Sequence, residues 1–385
     1  MHYDAIVIGL GGMGSAALYQ LAKRGLNVLG IEQFGIAHDK GSSHGLTRII
    51  RLAYFEDPSY VPLLRRAYDL WHQIEQDADE KLFYQTGSID AGRETDDIFA
   101  GSLRSCKEHN LAHEVLDSTA LSKRFPGYQF PSDMFALFQP QGGFLVPEAC
   151  ISNHVKVAQQ HGAEVHTNTR VLGWDTEGDG VSVTTENGTF HANKLIISAG
   201  AWARKLLPVL HNVAVPERQV LIWIEVTEPE IFTPEHFPVF NCTVPEGNYY
   251  GFPQFNPTGK TPGFKYGRWH HRYEEVDPDD MSRLEIHPED ESLLRSFAEQ
   301  YFPGAAGATQ SMKACIFTNS PDEHFIIDTL NEAPQVVYAA GMTGHGFKFC
   351  SVIGEILADL AQNGETRHNI DLLRSDRLLK PDTAS

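Results

Sequence analysis

"GLGGMGSAAL" occupies residues 9–18 and directly follows "YDAIVI". The apolar run at residues 5–8 has the composition of a strand buried on both faces. Gly9, Gly11 and Gly14 then supply the spacing GxGxxG. The first glycine permits the tight turn, the second lets backbone approach a pyrophosphate, and the third lets the next helix lie close on the strand. "SAALYQLAKRG" continues as an amphipathic helix that stops at Gly25, a residue suited to the left-handed position after a helix. "NVLGIE" reads as a second strand, closed by Glu32 about 20 residues after the glycines, where a carboxylate accepts from ribose hydroxyls. This order of elements predicts a dinucleotide site, and the motif alone leaves NAD and FAD both open.

The next stretch, "FGIAHDKGSSHGLTRIIRLAY", is a long polar loop where a compact NAD domain would turn into another helix. It favours a larger, flavin-bearing ligand. "YVPLLRRAYDLWHQIEQ" repeats apolar residues at helical steps. "LFYQTGSIDAG" and "MFALFQPQGGFLV" read as strands around a helical "DDIFAGSLRSCKEHN". "EACISNHVKVAQQHG" reads as a helix and "AEVHTNT" as a strand, and residues 170–200 as a three-stranded meander leading into another buried strand. Further on, "VAVPERQVLIWIEVTEPEIF", "GNYYGFPQF" and "GFKYGRWH" suggest a second sheet, and "PEDESLLRSFAEQYF" a helix begun by proline and acids. The last 50 or so residues return to strand, glycine loop and helix. The alternation implies two domains, each assembled from discontinuous pieces.

Hydrophobic content of 42% and charged content of 21% suit an ordinary globular chain of 385 residues. A formal charge of −19 without a basic patch argues against nucleic acid. No apolar run reaches the ~18–20 residues of a membrane span, and the first residues show no basic leader. Five scattered cysteines without a CxxC pair fit a reducing, cytoplasmic setting. No spacing of metal ligands is present, so no metal is expected.

"GLGGMGSAA", "GSSHGLTRIIRLAY", "YYGFP", "FKYG", "KACIF", "DEHFIID" and "GMTGHGFKF" occur in that order. In these the chain resembles, over nearly its whole length, the monomeric sarcosine oxidase and N-methyltryptophan oxidase family of covalent flavoproteins. The resemblance implies a mixed α/β fold: a Rossmann-like FAD-binding domain (1–82, 148–215 and 322–385) and a substrate domain on a mixed, largely antiparallel sheet (83–147 and 216–321). It implies oxidation of a small secondary amine or N-methyl amino acid to an imine, with O2 reduced to hydrogen peroxide, by a monomer. A dehydrogenase using another electron acceptor, and a fructosyl-amino-acid or pipecolate oxidase, are the alternatives.

The same resemblance assigns roles by residue. Cys315, which alone would read as a small buried hydrophobe, matches the cysteine joined by an 8α thioether to FAD. Arg51 and Lys348 match the pair that grips the substrate carboxylate, chemistry for which charge-assisted hydrogen bonds are suited. Arg48 matches a second arginine near the flavin, Lys265 the lysine associated with oxygen activation, and Tyr250 an active-site tyrosine. The family's histidine falls four residues after that lysine, where this chain has Trp269. His270 is the candidate, with His271 as the other possibility. Gly9, Gly11, Gly12, Met13, Gly14 and Glu32 are expected to hold FAD, helped by Ser42, Ser43, Thr47 and Arg48. Val171, Ser198, Ala199, Gly200 and Trp202 are expected along the dinucleotide. Gly344, His345, Gly346, Phe347 and Lys348, opening the last helix, place positive charge near the flavin ring. Phe317 stands where tyrosine is common, Leu46 and Leu52 replace polar residues, and "NPTGKTPG" lengthens one loop. These departures point to a more apolar substrate pocket.

Overall fold

The computed structural model describes residues 2–256 and 263–379. The opening strand His2–Ile8 lies at the centre of a parallel sheet, between Val28–Ile31 on one side and Gly188–Ile197 on the other. Glu164–His166 and Ala333–Ala340 extend the parallel array outward. Residues 5–8 alternate so little because both faces of the strand are covered, Ala5 and Val7 packing into one core and Ile6 and Ile8 into another. Val171–Glu177 and Gly180–Thr185 join as antiparallel strands. The expected meander and the buried strand after it are thus one structure, because Gly188–Ile197 is both the meander's third strand and a member of the parallel core.

The helix Gly12–Lys23 packs on this sheet and against the helix Cys350–Asn363. Small residues set that distance. A Cβ on Gly354 would lie 2.5 Å from the Ala16 Cβ, so any larger residue forces the two helices apart. The helix Val61–Ala78 buries Leu64, Leu70, Trp71 and Ile74 beneath them, and the Trp71 indole N–H donates to the Lys348 carbonyl at 2.8 Å. No helix among the described residues is long and apolar enough to cross a membrane.

A second sheet runs in the order Thr309–Asn319, Val215–Ile224, Phe264–Arg268, Gly247–Phe252, Val239–Val244, Ser88–Gly92, Phe135–Gln139, Glu114–Asp117. Only Val239–Val244 with Ser88–Gly92 is parallel. Its outer face is sealed by the helix Pro288–Tyr301 through an aromatic core that includes Phe237, Phe240, Phe264, Phe297 and Phe302. Each such ring withdrawn from water is worth about 1.5–3 kcal/mol. A small sheet of Arg48–Ile50, Gly143–Leu145 and Phe83–Gln85 ties the two large sheets together. That seam is where the chemistry collects. Residues 257–262, most of the lengthened loop, lie outside the described residues.

Candidate active site

Gly9 leaves the first strand at φ +86°, a conformation that glycine adopts without strain. A Cβ on Gly14 would meet the Gly9 carbonyl at 1.8 Å, so Gly14 serves the close packing of helix on strand and does not face the cleft. At Gly11 a Cβ would meet nothing within 4 Å. Gly11 also begins the helix with no side-chain cap, so the first-turn N–H groups point into open space. Glu32 is buried and accepts from the backbone N–H groups of Leu10 at 2.9 Å and Phe34 at 3.0 Å. A long cleft runs outward from here. Gly9, Gly11, Gly12, Met13, Glu32, Ser42, Ser43 and Arg48 line it, with Val171, Ser198, Ala199, Gly200 and Trp202 beside them and Phe317, Gly344, Gly346 and Phe347 toward its inner end.

The inner end is strongly cationic. Cys315, on the strand Thr309–Asn319, sits opposite Gln219 and is 2% exposed. Its thiol donates to the Ser42 carbonyl at 3.6 Å, and Arg48 Nη2 donates toward Sγ at 3.8 Å. Burial pushes this thiol above its ordinary pKa, and the Arg48 charge opposes the shift. Lys265 Nζ donates to both the Thr47 carbonyl at 2.7 Å and the Thr47 hydroxyl at 2.9 Å. Thr47, expected on the flavin, is therefore turned to the lysine and lies off the cleft wall. Burial, then Arg48, holds the Lys265 amine well below the usual lysine range. Tyr250 crosses the neighbouring strand at Gly267, where a Cβ would come within 2.6 Å of the phenol oxygen.

Arg51 and Lys348 meet nearby, but neither is unattended. Arg51 is fully buried and donates through Nε to Asp90 at 3.2 Å and through Nη2 to Glu56 at 3.1 Å. Burial opposes its charge, yet the two carboxylates hold its pKa above the ordinary value. Lys348 Nζ donates to the His345 carbonyl at 2.7 Å and lies over the Tyr54 ring. Burial, then the Arg51 charge, pushes this amine down to about 7. His345 is buried between a hydrogen bond to the Tyr54 hydroxyl and one from Nε2 to the Glu323 carbonyl at 2.9 Å. It supports the lysine and does not face the cleft. The 3-10 turn Phe347–Phe349 precedes the last helix, which starts two residues after Lys348.

The histidine expectation is corrected. His270 takes φ +49°, and its ring leaves the site to lie between Glu217 at 3.0 Å and Glu323 at 3.3 Å. Those two hydrogen bonds push its pKa up to about 9. His271 is buried in the other direction, on Asp290 at 2.9 Å. Trp269 instead turns toward other rings, tilted on Phe55 at 5.9 Å, edge-on to Phe317 at 6.5 Å and stacked on His345 at 6.0 Å.

A cleft of this form, with an uncapped helix start, a ribose acid and a buried thiol, suits a flavin dinucleotide, and the family model described as FAD dependent oxidoreductase matches residues 4–360. The chain belongs to that family. Within the FAD dependent oxidoreductases it is 42% identical over 381 residues to monomeric sarcosine oxidase of Bacillus sp. (strain B-0618), covering 98% of this chain and 96% of the relative. It is 37% identical over 365 residues to N-methyl-L-tryptophan oxidase of Yersinia pestis (strain Pestoides F), covering 94% and 96%. Among solved structures, NikD, an unusual amino acid oxidase essential for nikkomycin biosynthesis, superposes with a TM-score of 0.83 at 24% identity, covering 97% of both chains. L-proline dehydrogenase from P. horikoshii superposes with a TM-score of 0.83 at 21% identity, covering 98% and 97%. These two likenesses concern the fold.

The residues present fit FAD. Besides the glycine cradle, the buried hydroxyl of Thr318 on the cleft wall has no partner among the described residues, nor does either ring nitrogen of buried His44. Burial, then Arg48, pushes His44 down to about 3, so it stays neutral. An orphaned hydroxyl on the cleft wall, as at Thr318, is what a polar ring system would satisfy.

Sequence reasoning missed Glu56, Asp90 and His44. Glu56 follows Arg51 closely in "RLAYFE", which offered a signal. Asp90 lies 39 residues from Arg51 and is brought to it only by the second sheet.

Proposed function

We propose that this FAD dependent oxidoreductase is an oxidase of a small, carboxylate-bearing secondary amine of the N-methyl amino acid class, producing an imine and hydrogen peroxide. The observation that carries the reading is a dinucleotide cleft lined by Arg48, whose guanidinium lies at the buried Cys315 thiol on which Lys265 also acts, with a second pair of buried cations, Arg51 and Lys348, acting on each other close by. Relatives at 42% and 37% identity whose names specify sarcosine and N-methyl-L-tryptophan support it.

Bound FAD supplies the two-electron acceptor for oxidation of the carbon–nitrogen bond and hands the electrons to O2. The chain does the rest. Lys348 and Arg51 take the substrate carboxylate, Arg51 through Nη1, since its Nε and Nη2 donate to Asp90 and Glu56. Cations this close disfavour an ammonium, so the bound amine is held neutral and no strong base is needed. Lys265 fixes a positive charge where charge develops as O2 is reduced. Arg48, beside Sγ, stabilises the thiolate that attachment of FAD through Cys315 requires. Trp269, Phe55 and Phe317 give the amine an apolar wall, which favours N-methyl amino acids over polyhydroxylated amine adducts. We further read the protein as a cytoplasmic monomer, its FAD-binding and substrate domains divided near residues 82, 147, 215 and 321.

The test is direct. The purified protein should be yellow, keep its colour in the pellet after trichloroacetic acid, and release peroxide with N-methylglycine or a larger N-methyl amino acid. A colourless protein, or no peroxide with any such amine, rejects the reading.

A further inference from the structure

Glu148 lies in the first turn of the helix Pro147–Gln160 and has no role in what precedes. Its Oε1 accepts from the backbone N–H groups of Gly45 at 2.7 Å and Leu46 at 3.1 Å. Its Oε2 is buried with no hydrogen-bond partner among the described residues. The turn it grips is a forced one. Gly45 has φ +93° and Leu46 φ +72°, the latter a left-handed conformation that a leucine adopts only when its surroundings impose it. Thr47 follows immediately, and its carbonyl and hydroxyl are the two acceptors of the Lys265 ammonium.

We propose that Glu148 is a positioning residue of the oxygen half-reaction: its carboxylate fixes the 45–47 turn whose Thr47 holds Lys265, and places there a negative charge that favours the ammonium form of this buried amine. This rests on the oxidase reading above. The groups facing Lys265 make the charge argument specific. Arg48, on the strand Arg48–Ile50, is a cation. His44 is neutral. Cys315, on the strand Thr309–Asn319, is a thiol whose pKa is raised. Phe252 and Trp223 present ring faces at 4.2 Å and 5.7 Å. Glu148 is the carboxylate among the groups acting on the amine, and it opposes both burial and Arg48. In a low-dielectric site one such charge shifts the balance between the two forms of a lysine. A carboxylate that merely capped the turn could be exchanged for an amide without consequence for the amine.

Glu148→Gln separates the two roles, because the amide carbonyl still accepts from Gly45 and Leu46 but carries no charge. Titration of the Lys265 amine is followed by NMR of 15N-lysine-labelled holoprotein, assigned with Lys265→Met. Flavin reduction by N-methylglycine and reoxidation by O2 are followed separately by stopped flow. In Glu148→Gln the Lys265 titration moves to lower pH by a unit or more. The fall of the reoxidation rate at high pH moves down with it, and the rate at a fixed pH on that limb drops about tenfold. Flavin reduction stays within twofold, and Glu148→Asp restores most of the shift. An unmoved lysine titration, or equal losses in both half-reactions, overturns the proposal. Failure of any N-methyl amino acid to reduce the wild-type flavin would instead reject the oxidase reading, while the lysine titration still decides the role of Glu148.

Discussion

The Trp269 indole lies nearly parallel to the His345 imidazole, at an angle of 11° with ring centroids 6.0 Å apart. His345 is fixed by Tyr54 and the Glu323 carbonyl, so the indole is held against a rigid partner and presents apolar surface between Phe55 and Phe317. Trp269→His removes that surface. The ratio of kcat/KM for N-methyl-L-leucine to that for N-methylglycine should then fall about tenfold, the scale of losing hydrophobic contact with part of a side chain. An unchanged ratio places the indole outside the substrate space.

Arg51 has a structural duty that its sequence context conceals. Removing it leaves Asp90 and Glu56 buried without their cation, and such losses cost about 3–5 kcal/mol. Arg51→Ala should therefore lower the thermal midpoint as well as weaken substrate binding. Arg51→Lys keeps a charge for Asp90 but not the planar fork. It should fold and bind FAD, with KM raised roughly ten- to a hundredfold, in line with one or two lost charge-assisted hydrogen bonds.

Lys348 gives a pH dependence to carboxylate binding. Its amine titrates at about 7 because burial and Arg51 disfavour the ammonium, and the carboxylate is gripped by the ammonium form. Affinity for a simple carboxylate without an amine, such as propionate, should fall as pH rises through 7, by up to about tenfold per unit. Spectral titration of the bound flavin measures this. In Lys348→Met, binding should be weaker at pH near 6 and flat with pH.

Cys315→Ala tests the tether. The variant should retain a yellow, folded protein, since the glycine cradle and Glu32 remain, but acid should now extract the flavin completely. A wild-type flavin that acid also extracts would remove the thioether.

Held between Glu217 and Glu323, His270 is expected to contribute to stability and not to turnover. Its folded pKa is raised to about 9 by Glu217 and Glu323, against about 6.5 for a free histidine. The stabilisation is fully present below pH 6.5 and is lost as pH rises through 9. For a partly exposed pair it amounts to on the order of 1 kcal/mol. His270→Gln should lower the denaturation midpoint at pH 6, the gap should close by pH 10, and kcat should be unchanged.

The amino-acid order by itself determined the dinucleotide end of this protein. Gly9, Gly11, Gly14 and Glu32 belong to one strand–helix–strand unit, so local spacing sets where they stand relative to one another. The alternating runs likewise announced the second sheet's strands at Val215–Ile224 and Gly247–Phe252. What surrounds Arg51, Lys265 and the family histidine's place was decided only by tertiary structure. Asp90 reaches Arg51, Glu148 reaches the turn that holds Lys265, and Trp269 turns toward other rings, because strands from distant parts of the chain pair at one seam. A buried charge takes its partner from whatever side chain the packing delivers, and no local pattern encodes that choice.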